Sequence, residues 1–151
     1  MKAQRYVRPT RPDRIFNAVV QLLTRLGISV YGSTVLAVRG RKSGEWRTVP
    51  VNLLTDQGER YLVAPRGETE WVRNIRVAGG GELRMRRRRE VVAVVELADA
   101  EKPPILRLYL QRWWFEVGRF FEGVSRDASL EQLQRIAPGF PVFRLSSDEH
   151  P

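Results

Sequence analysis

The sequence predicts an α+β domain in which a small antiparallel β-barrel is flanked by helices. Short runs rich in Val and Leu follow one another through the middle of the chain, and turn residues separate each run from the next. Helical periodicity lies mainly on either side of these runs, so few βαβ units are present and a doubly wound sheet is not favoured. We expect residues 1–9 to form a basic N-terminal arm and residues 10–151 to form one domain, which suits a chain of 151 residues.

The helices are predicted from apolar residues at helical spacing and from residues that cap or end a helix. The first is expected to pack on the core, but basic residues precede it, so an amphipathic helix at a membrane surface stays open as an alternative. The three glycines after the second are expected to end it. The predicted helices are Thr10–Leu26, Thr69–Ala78, Lys102–Trp113 and Ser129–Ile136.

The strands are predicted from short β-branched and apolar runs that turn residues bound. Val91–Val95 is nearly continuously apolar, so we expect this strand to be central and buried on both faces. The predicted strands are Thr34–Arg39, Trp46–Leu54, Arg60–Ala64, Glu82–Met85, Glu90–Leu97 and Pro141–Leu145.

The composition restricts the chemistry of the protein. Lys and Arg number 26 against 17 Asp and Glu, and a net charge of +9 favours an anionic partner such as nucleic acid, anionic lipid or a phosphorylated small molecule. There is no Cys, which excludes thiol catalysis, disulfides and thiolate metal sites. The only His is His150, next to the C-terminus, so we expect neither a His-based triad nor a metal site. If the protein is an enzyme, a bound cofactor is expected to supply the chemistry.

No targeting segment is apparent in the sequence. Met1–Pro12 is basic and lacks the apolar stretch of a signal peptide. No apolar run approaches the roughly 20 residues that a transmembrane helix needs. We therefore expect a cytoplasmic protein, with peripheral contact with an anionic membrane as an open alternative.

The segment Gly40–Thr48 lies between two predicted strands and combines glycines, cations and hydroxyl groups. Arg41, Lys42 and Arg47 provide positive charge, and the backbone N–H groups of a glycine turn can form an anion-binding nest. An exposed basic hairpin is the alternative. The segment lacks the spacing of a Walker A loop and no helix follows it.

The run Arg86–Arg89, with Arg84 before it, is a second concentration of positive charge. Arg84 and Arg86 alternate with Leu83 and Met85, as on the solvated face of a hairpin. A contribution to binding an anionic cofactor or a membrane, and a nucleic-acid patch, are the alternatives. No aromatic residue interrupts the run, so no specific nucleic-acid partner is expected.

Three blocks of the sequence resemble the deazaflavin-dependent nitroreductase family. Gly40–Gly44 followed by Arg47–Pro50 is similar to the family's signature. Tyr61–Ala64 followed by a Trp-x-x-Asn-Ile helix occupies the place of the family's strand and Trp-x-x-Asn-Leu helix. Pro141–Phe143 is similar to the family's final strand. The resemblance implies a split β-barrel of the FMN-binding and pyridoxamine oxidase-like type.

The resemblance also implies a cofactor. It is F420, a deazaflavin with a phosphate and an oligoglutamate tail, and FMN is the secondary alternative. Residues expected to hold the phosphate and tail, or to add hydrogen bonds there, are Arg41, Lys42, Ser43, Arg47, Thr48 and Pro50. Residues expected to border the ring are Ala64, Pro65, Arg66, Gly67, Trp71 and Asn74.

The function implied is transfer of a hydride between the deazaflavin and a small hydrophobic acceptor of quinone or nitro type. Tyr109, Trp113 and Trp114 are expected to line the acceptor pocket, with a core and a subunit interface as alternatives for this aromatic stretch. A non-catalytic carrier of F420 or a hydrophobic ligand is the first alternative function, and a basic membrane-surface or nucleic-acid module is the second. The protein is expected to be a monomer or a homodimer.

Overall fold

The computed structural model describes Arg5, residues 34–85 and residues 87–147. The predicted N-terminal helix, the arm apart from Arg5, and His150 lie outside the described residues. The described residues form the strands and helices β1 Thr34–Arg39, β2 Trp46–Val51, β3 Leu53–Asp56, β4 Glu59–Val63, α1 Glu70–Ala78, β5 Gly80–Met85, β6 Arg88–Glu96, α2 Lys102–Val117, α3 Leu130–Ile136 and β7 Val142–Ser147.

The strands form one antiparallel sheet in the order β2-β1-β5-β6-β7-β4-β3. β2 and β3 lie at opposite edges of this order, although only Asn52 separates them in the chain. The sheet must therefore curl until its two edges meet, which makes it a barrel. The predicted fold class, an α+β split β-barrel with flanking helices, is confirmed.

The inside of the barrel forms one hydrophobic core. It takes alternate residues of the strands, because successive side chains of a strand point to opposite faces. Two residues of α1 complete it. The core includes Leu36, Val38, Leu62, Leu83, Val92, Phe143, Val72 and Ile75.

A second core lies between the outside of β4 and β7 and the helices α2 and α3. Val63 and Val142 belong to it, whereas their neighbours Leu62 and Phe143 face the barrel interior. α2 changes direction at Trp113, whose backbone is not helical (φ −122°, ψ 25°). No helix in the described part of the chain combines the length and the apolar character needed to cross a membrane.

Two strand predictions are wrong in detail. Trp46–Leu54 was expected to be one strand, but it breaks at Asn52, where the chain passes from one edge of the sheet to the other. Val91–Val95 was expected to be buried on both faces, but Val91 and Val95 are 53% and 55% exposed. β6 is central in the sheet, yet the sheet is antiparallel and one face of this strand is open.

The ends of the helices follow local chemistry. Ser129 caps α3 through a reciprocal capping box with Gln132. Gly79 ends α1 in the left-handed conformation (φ 76°). The two glycines after it were expected to belong to the same stop, but they begin β5. A side chain on Gly81 would meet the carbonyl oxygen of Ala37 at 2.5 Å, so glycine is required for close strand packing there.

A polar cluster under α2 holds the point where β2 and β3 join. Asn52 is hydrogen-bonded with both the Tyr109 hydroxyl and the Glu116 carboxyl. Burial raises the pKa of Tyr109, and the bond with Asn52 opposes that shift. Burial likewise raises the pKa of Glu116, again against the hydrogen bond with Asn52. The cluster ties the edge closure of the sheet to the helical layer.

The raised pKa of Glu116 predicts a pH dependence of stability. The folded protein keeps this proton to higher pH than the unfolded chain, so the free energy of unfolding should fall as the pH rises from the ordinary glutamate pKa, about 4.3, through the raised one. Glu116→Gln stays neutral and keeps a polar partner for Asn52. We expect it to be more stable than wild type at neutral pH and to lose this part of the dependence. Urea unfolding between pH 4 and pH 8 measures it, with the exposed Glu59→Gln as control; identical profiles for both variants would contradict the assignment.

Candidate functional site

The turn between β1 and β2 is closed by its own hydrogen bonds. The Gly40 N–H donates to the Glu45 carbonyl at 2.8 Å, and the Gly44 N–H donates to the Gly40 carbonyl at 2.9 Å. The Ser43 hydroxyl accepts from the Glu45 N–H at 3.2 Å. Gly44 is left-handed (φ 72°), a conformation that glycine adopts readily. An anion at this turn would meet side chains rather than these committed N–H groups.

Asn74 of α1 fastens the turn to the barrel. Its side chain is buried, and Oδ1 accepts from the Arg41 N–H at 3.1 Å and from the Arg41 guanidinium at 2.8 Å. The same guanidinium pairs with Glu70 at 2.8 Å. Glu70 and Asn74 are one helical turn apart, so both point at the hairpin. Arg41 therefore positions the turn as well as adding charge.

Further cations gather around Glu70. The hydrogen bond from Arg41 lowers the pKa of Glu70 most, and the charges of Arg73 and Lys42 lower it further. Three cations thus lie near one exposed carboxylate. Lys42 makes no hydrogen bond or ion pair with another described residue.

Arg47 extends this positive region along β2. Its guanidinium is 63% exposed and lies 3.9 Å from the Glu45 carboxylate, so the pair is solvated and weak. We name Arg41, Lys42, Arg47 and Arg73 the hairpin cation cluster. Among the described residues, the carboxylates that interact with these cations are those of Glu45 and Glu70.

Thr48 and Pro50 lie on the other face of β2. They alternate with Arg47 along the strand, and their cross-strand partners are Ala37 and Val35. Both are half-buried. The structure therefore places these two predicted site residues behind Arg47 and does not bring their side chains to the same surface.

The loop of residues 64–69 connects β4 to α1. The Ala64 N–H donates to the Pro141 carbonyl at 2.9 Å, and the Gly67 N–H donates to the Ala64 carbonyl at 3.1 Å. The side chain of Trp71, at the start of α1, packs 5.8 Å from Phe143 in the barrel interior. The loop is thus held between the barrel and the helix that carries Asn74.

Arg5 anchors the same loop from the N-terminal side. Its guanidinium donates to the carbonyls of Pro65 and Phe120, each at 2.8 Å, and its own carbonyl accepts from the Glu68 N–H at 2.6 Å. Its carbonyl also lies so close to Gly67 that no side chain would fit there, and Gly67 is left-handed (φ 83°). Arg5 was expected to belong to a loose arm, but it is packed, because its guanidinium satisfies two carbonyls that are far apart in the chain.

The hydroxyl of Thr69 is an unused donor and acceptor beside this loop. Thr69 occupies the N-cap position of α1, as predicted, but its side chain makes no capping hydrogen bond. The Oγ1 atom is buried and has no hydrogen-bond partner among the described residues. A buried hydroxyl without a partner is costly in a native protein, and a polar ligand atom bound beside it would remove that cost.

The predicted pocket residues lie in the helical layer. Tyr109 is 2% exposed, and its ring centroid lies 5.2 Å from that of Trp113. Trp113 and Trp114 are half-buried against the second core. The guanidinium of Arg66 lies 5.3 Å from the Phe120 ring, so the 64–69 loop and the aromatic end of α2 are neighbours.

A charged cleft of about 370 Å³ lies on another side of the loop. Arg76 pairs there with both Glu68 and Glu96. The ammonium of Lys102 is buried and contacts Asp99 at 2.8 Å. Because these charges are paired with one another, the cleft lacks the cationic excess of the hairpin cation cluster.

Sequence reasoning missed three of the residues that organise the site. Glu70 could have been found, because it lies four residues before Asn74 and therefore on the same face of the predicted helix. Arg73 directly precedes Asn74, and its spacing gave no such signal. Arg5 left no signal, since its partners Pro65 and Phe120 are remote in the chain.

The clamp on the hairpin can be tested by stability. Asn74→Ala leaves the Arg41 N–H without its acceptor, and we expect a loss of about 1–3 kcal/mol in the free energy of unfolding. Glu70→Gln removes only a solvated ion pair and should cost less than about 1 kcal/mol. Urea unfolding of both variants measures the difference. Equal small losses would show that Asn74 does not hold the turn.

Comparisons with solved structures support the fold. A protein of unknown function from Agrobacterium tumefaciens is 14% identical over 87% of this chain, with a TM-score of 0.58, and the chain spans 55% of that protein. A domain-swapped dimer is 15% identical over 91% of this chain and 100% of its own, with a TM-score of 0.55. An F420-H2 dependent reductase is 18% identical over 75% of this chain and 93% of its own, with a TM-score of 0.51.

The sequence itself matches a known family. A search against curated proteins finds no match. The profile of the F420H(2)-dependent quinone reductase family, however, matches residues 14–128, which is more than half of the chain and includes the hairpin cation cluster and loop 64–69. This match supports F420 as the cofactor, with FMN a minor alternative. The chain belongs to the F420H(2)-dependent quinone reductase family.

Proposed function

We propose that this protein is a reductase that holds F420 between the hairpin cation cluster and the 64–69 loop and passes a hydride to a small hydrophobic acceptor. The observation that carries the proposal is the cation cluster itself. Asn74 fixes its turn on the barrel, and Lys42 and Arg47 project from it into solvent. The cofactor has a phosphate and several carboxylates, which are the groups that such cations bind.

The donor set fits the charged end of the cofactor. Lys42 offers a point charge with three donors, and Arg47 offers a fork that matches a phosphate or carboxylate. Arg41 and Arg73 add positive charge near Lys42, since all three lie close enough to Glu70 to lower its pKa. The turn's N–H groups at Gly40, Gly44 and Glu45 are committed to other acceptors, so the charged contacts of the turn come from its side chains.

The other end of the site suits the ring. Loop 64–69 and the half-buried Trp71 offer backbone and apolar surface, and the buried Thr69 hydroxyl offers one polar contact. When bound, F420H2 supplies a hydride from C5 of its deazaflavin ring. The described residues contain neither Cys nor His. The residues of this chain therefore bind, orient and shield rather than form a covalent bond.

Trp113 and Trp114 are assigned to the wall of the acceptor site. They are half-buried and lie on the same helix as Tyr109, whose buried ring packs against that of Trp113. Phe120, three residues after the end of α2, packs against the Arg66 guanidinium and so connects this aromatic stretch to the 64–69 loop. An apolar wall beside the ring favours a flat hydrophobic acceptor of the quinone type.

Cofactor titration tests the binding half of the proposal. We expect F420 to bind more tightly than FMN, and Lys42→Ala and Arg47→Ala each to weaken F420 binding about tenfold or more, since each removes a charge-assisted contact. Arg88→Ala is the matched control. Arg88 is an exposed arginine in the β5–β6 hairpin, which lies at the opposite end of β1 from the hairpin cation cluster. Fluorescence titration gives the F420 affinities of the wild type and the three variants, and the FMN affinity of the wild type. Tighter FMN binding, or an Arg88→Ala effect equal to the others, would overturn the assignment.

Acceptor choice tests the catalytic half. We expect Trp113→Ala or Trp114→Ala to change the ranking of quinone and nitro acceptors in F420H2 oxidation while F420 affinity stays within a few-fold. Tyr109→Ala removes a buried aromatic ring, so it should cost roughly 3–5 kcal/mol of stability instead. Rates with matched acceptors and melting temperatures of all three variants separate the two effects. If the protein binds F420 but none of the acceptors supports oxidation of F420H2, it is a carrier.

A further inference from the structure

The side chain of Arg5 joins the two segments that the proposed function assigns to the cofactor ring and to the acceptor. Its guanidinium donates to the carbonyls of Pro65 and Phe120, each at 2.8 Å. Pro65 belongs to the 64–69 loop, which is assigned to the ring. Phe120 follows α2, whose tryptophans are assigned to the acceptor wall. One guanidinium therefore ties the ring side of the proposed site to its acceptor side.

The Arg5 side chain is itself held in place. Its guanidinium lies 4.6 Å from the centroid of the Phe140 ring. Phe140 in turn stacks on Phe121, with the ring centroids 4.1 Å apart. A side chain on Gly139 would come within 3.3 Å of the Arg5 Cδ atom, so the stem also packs closely. An arginine that is stacked on a ring presents its donors in a fixed fork, which suits it to hold two acceptors at a set distance.

The backbone at Arg5 contacts the 64–69 loop independently of the side chain. The Arg5 carbonyl accepts from the Glu68 N–H at 2.6 Å and lies against Gly67. These contacts hold Arg5 on the loop, whereas it is the guanidinium that extends to Phe120. A substitution of the side chain can therefore remove the link to the acceptor side and leave the backbone contacts with the loop in place.

We propose that Arg5 is a positioning residue, which acts through Pro65 and Phe120 to hold the acceptor wall at a fixed distance from the ring loop. The inference rests on the proposed function. Hydride transfer needs reacting atoms about 3–3.5 Å apart, and a misplacement of about 1 Å can cost about 100-fold in rate. The ring loop and the acceptor wall are remote in the chain, so their spacing depends on the contacts that join them.

Single-turnover oxidation of F420H2 by menadione tests the role in the full chain. Arg5→Met keeps an unbranched stem but removes the fork, and we expect the rate to fall about tenfold or more. F420 affinity should stay within threefold, because the hairpin cation cluster is intact. Arg5→Lys keeps the charge without the fork and should lower the rate less, by about threefold.

Arg126→Met is the matched control. Arg126 is an exposed arginine whose guanidinium donates to the Gln111 carbonyl of α2 at 2.9 Å. It removes one bond between an arginine and a carbonyl without breaking the link between the ring loop and Phe120. We expect its rate and its F420 affinity to stay within twofold of the wild-type values.

Hydrogen exchange of the protein without cofactor gives a readout that does not depend on activity. The Gly67 N–H donates to Ala64 and the Phe121 N–H donates to Gly118, so these amides exchange only when their segments open. In Arg5→Met both should exchange about tenfold faster or more, and in Arg126→Met neither should change.

The outcomes separate this inference from the proposed function. A wild-type rate in Arg5→Met or Arg5→Lys would overturn the positioning role, even where exchange is faster, because the link would then be structural only. Unchanged exchange in Arg5→Met, or a rate loss of the same size in Arg126→Met, would overturn it as well. A wild-type protein that fails to bind F420 or to oxidise F420H2 would overturn the proposed function, and this inference with it.

Discussion

A single residue, Asn52, joins strands that lie at opposite edges of a seven-strand order, and the rest of the structure depends on this closure. One residue spans only about 3.3 Å of extended chain, so β2 and β3 can follow each other only if the sheet curls on itself. The curl creates an interior that Leu36, Leu83 and Phe143 fill. It also creates an outer surface on which α2 and α3 pack.

The closure places Asn52 outside the strand ladder, where its polar side chain needs other partners. Tyr109 and Glu116 of α2 provide them. The same helix then presents Trp113, Trp114 and Phe115 beyond the cluster. This polar cluster thus couples the barrel to the aromatic end of α2 and to the loop that Phe120 contacts.

The local parts of the fold could be predicted from the sequence, because short-range patterns determine them. β1, the β1–β2 turn, α1 and α3 lie where sequence reasoning placed them, to within a residue. The break at Asn52 could not be predicted, since it depends on partners far along the chain. The open face of β6 was equally hidden, because valines on both faces give no alternation.

The candidate site was predictable in its charges but not in its arrangement. The sequence pointed to Arg41, Lys42 and Arg47, yet not to the way in which Asn74 commits Arg41 to the barrel. It also placed Thr48 and Pro50 with Arg47, whereas alternation along β2 puts them on the other face. The monomer or homodimer state, the cytoplasmic location and the single-domain boundaries stay predictions.

The most direct test of the account compares F420 with the deazaflavin that lacks the phosphate and oligoglutamate tail, in wild type and in a Lys42→Ala, Arg47→Ala double variant. If the hairpin cation cluster binds the anionic end, removing the tail should weaken binding at least about tenfold more in wild type than in the variant, because the two deletions remove the same contacts. An equal loss on truncation in both proteins would mean that the anionic end is bound elsewhere, and would contradict the account.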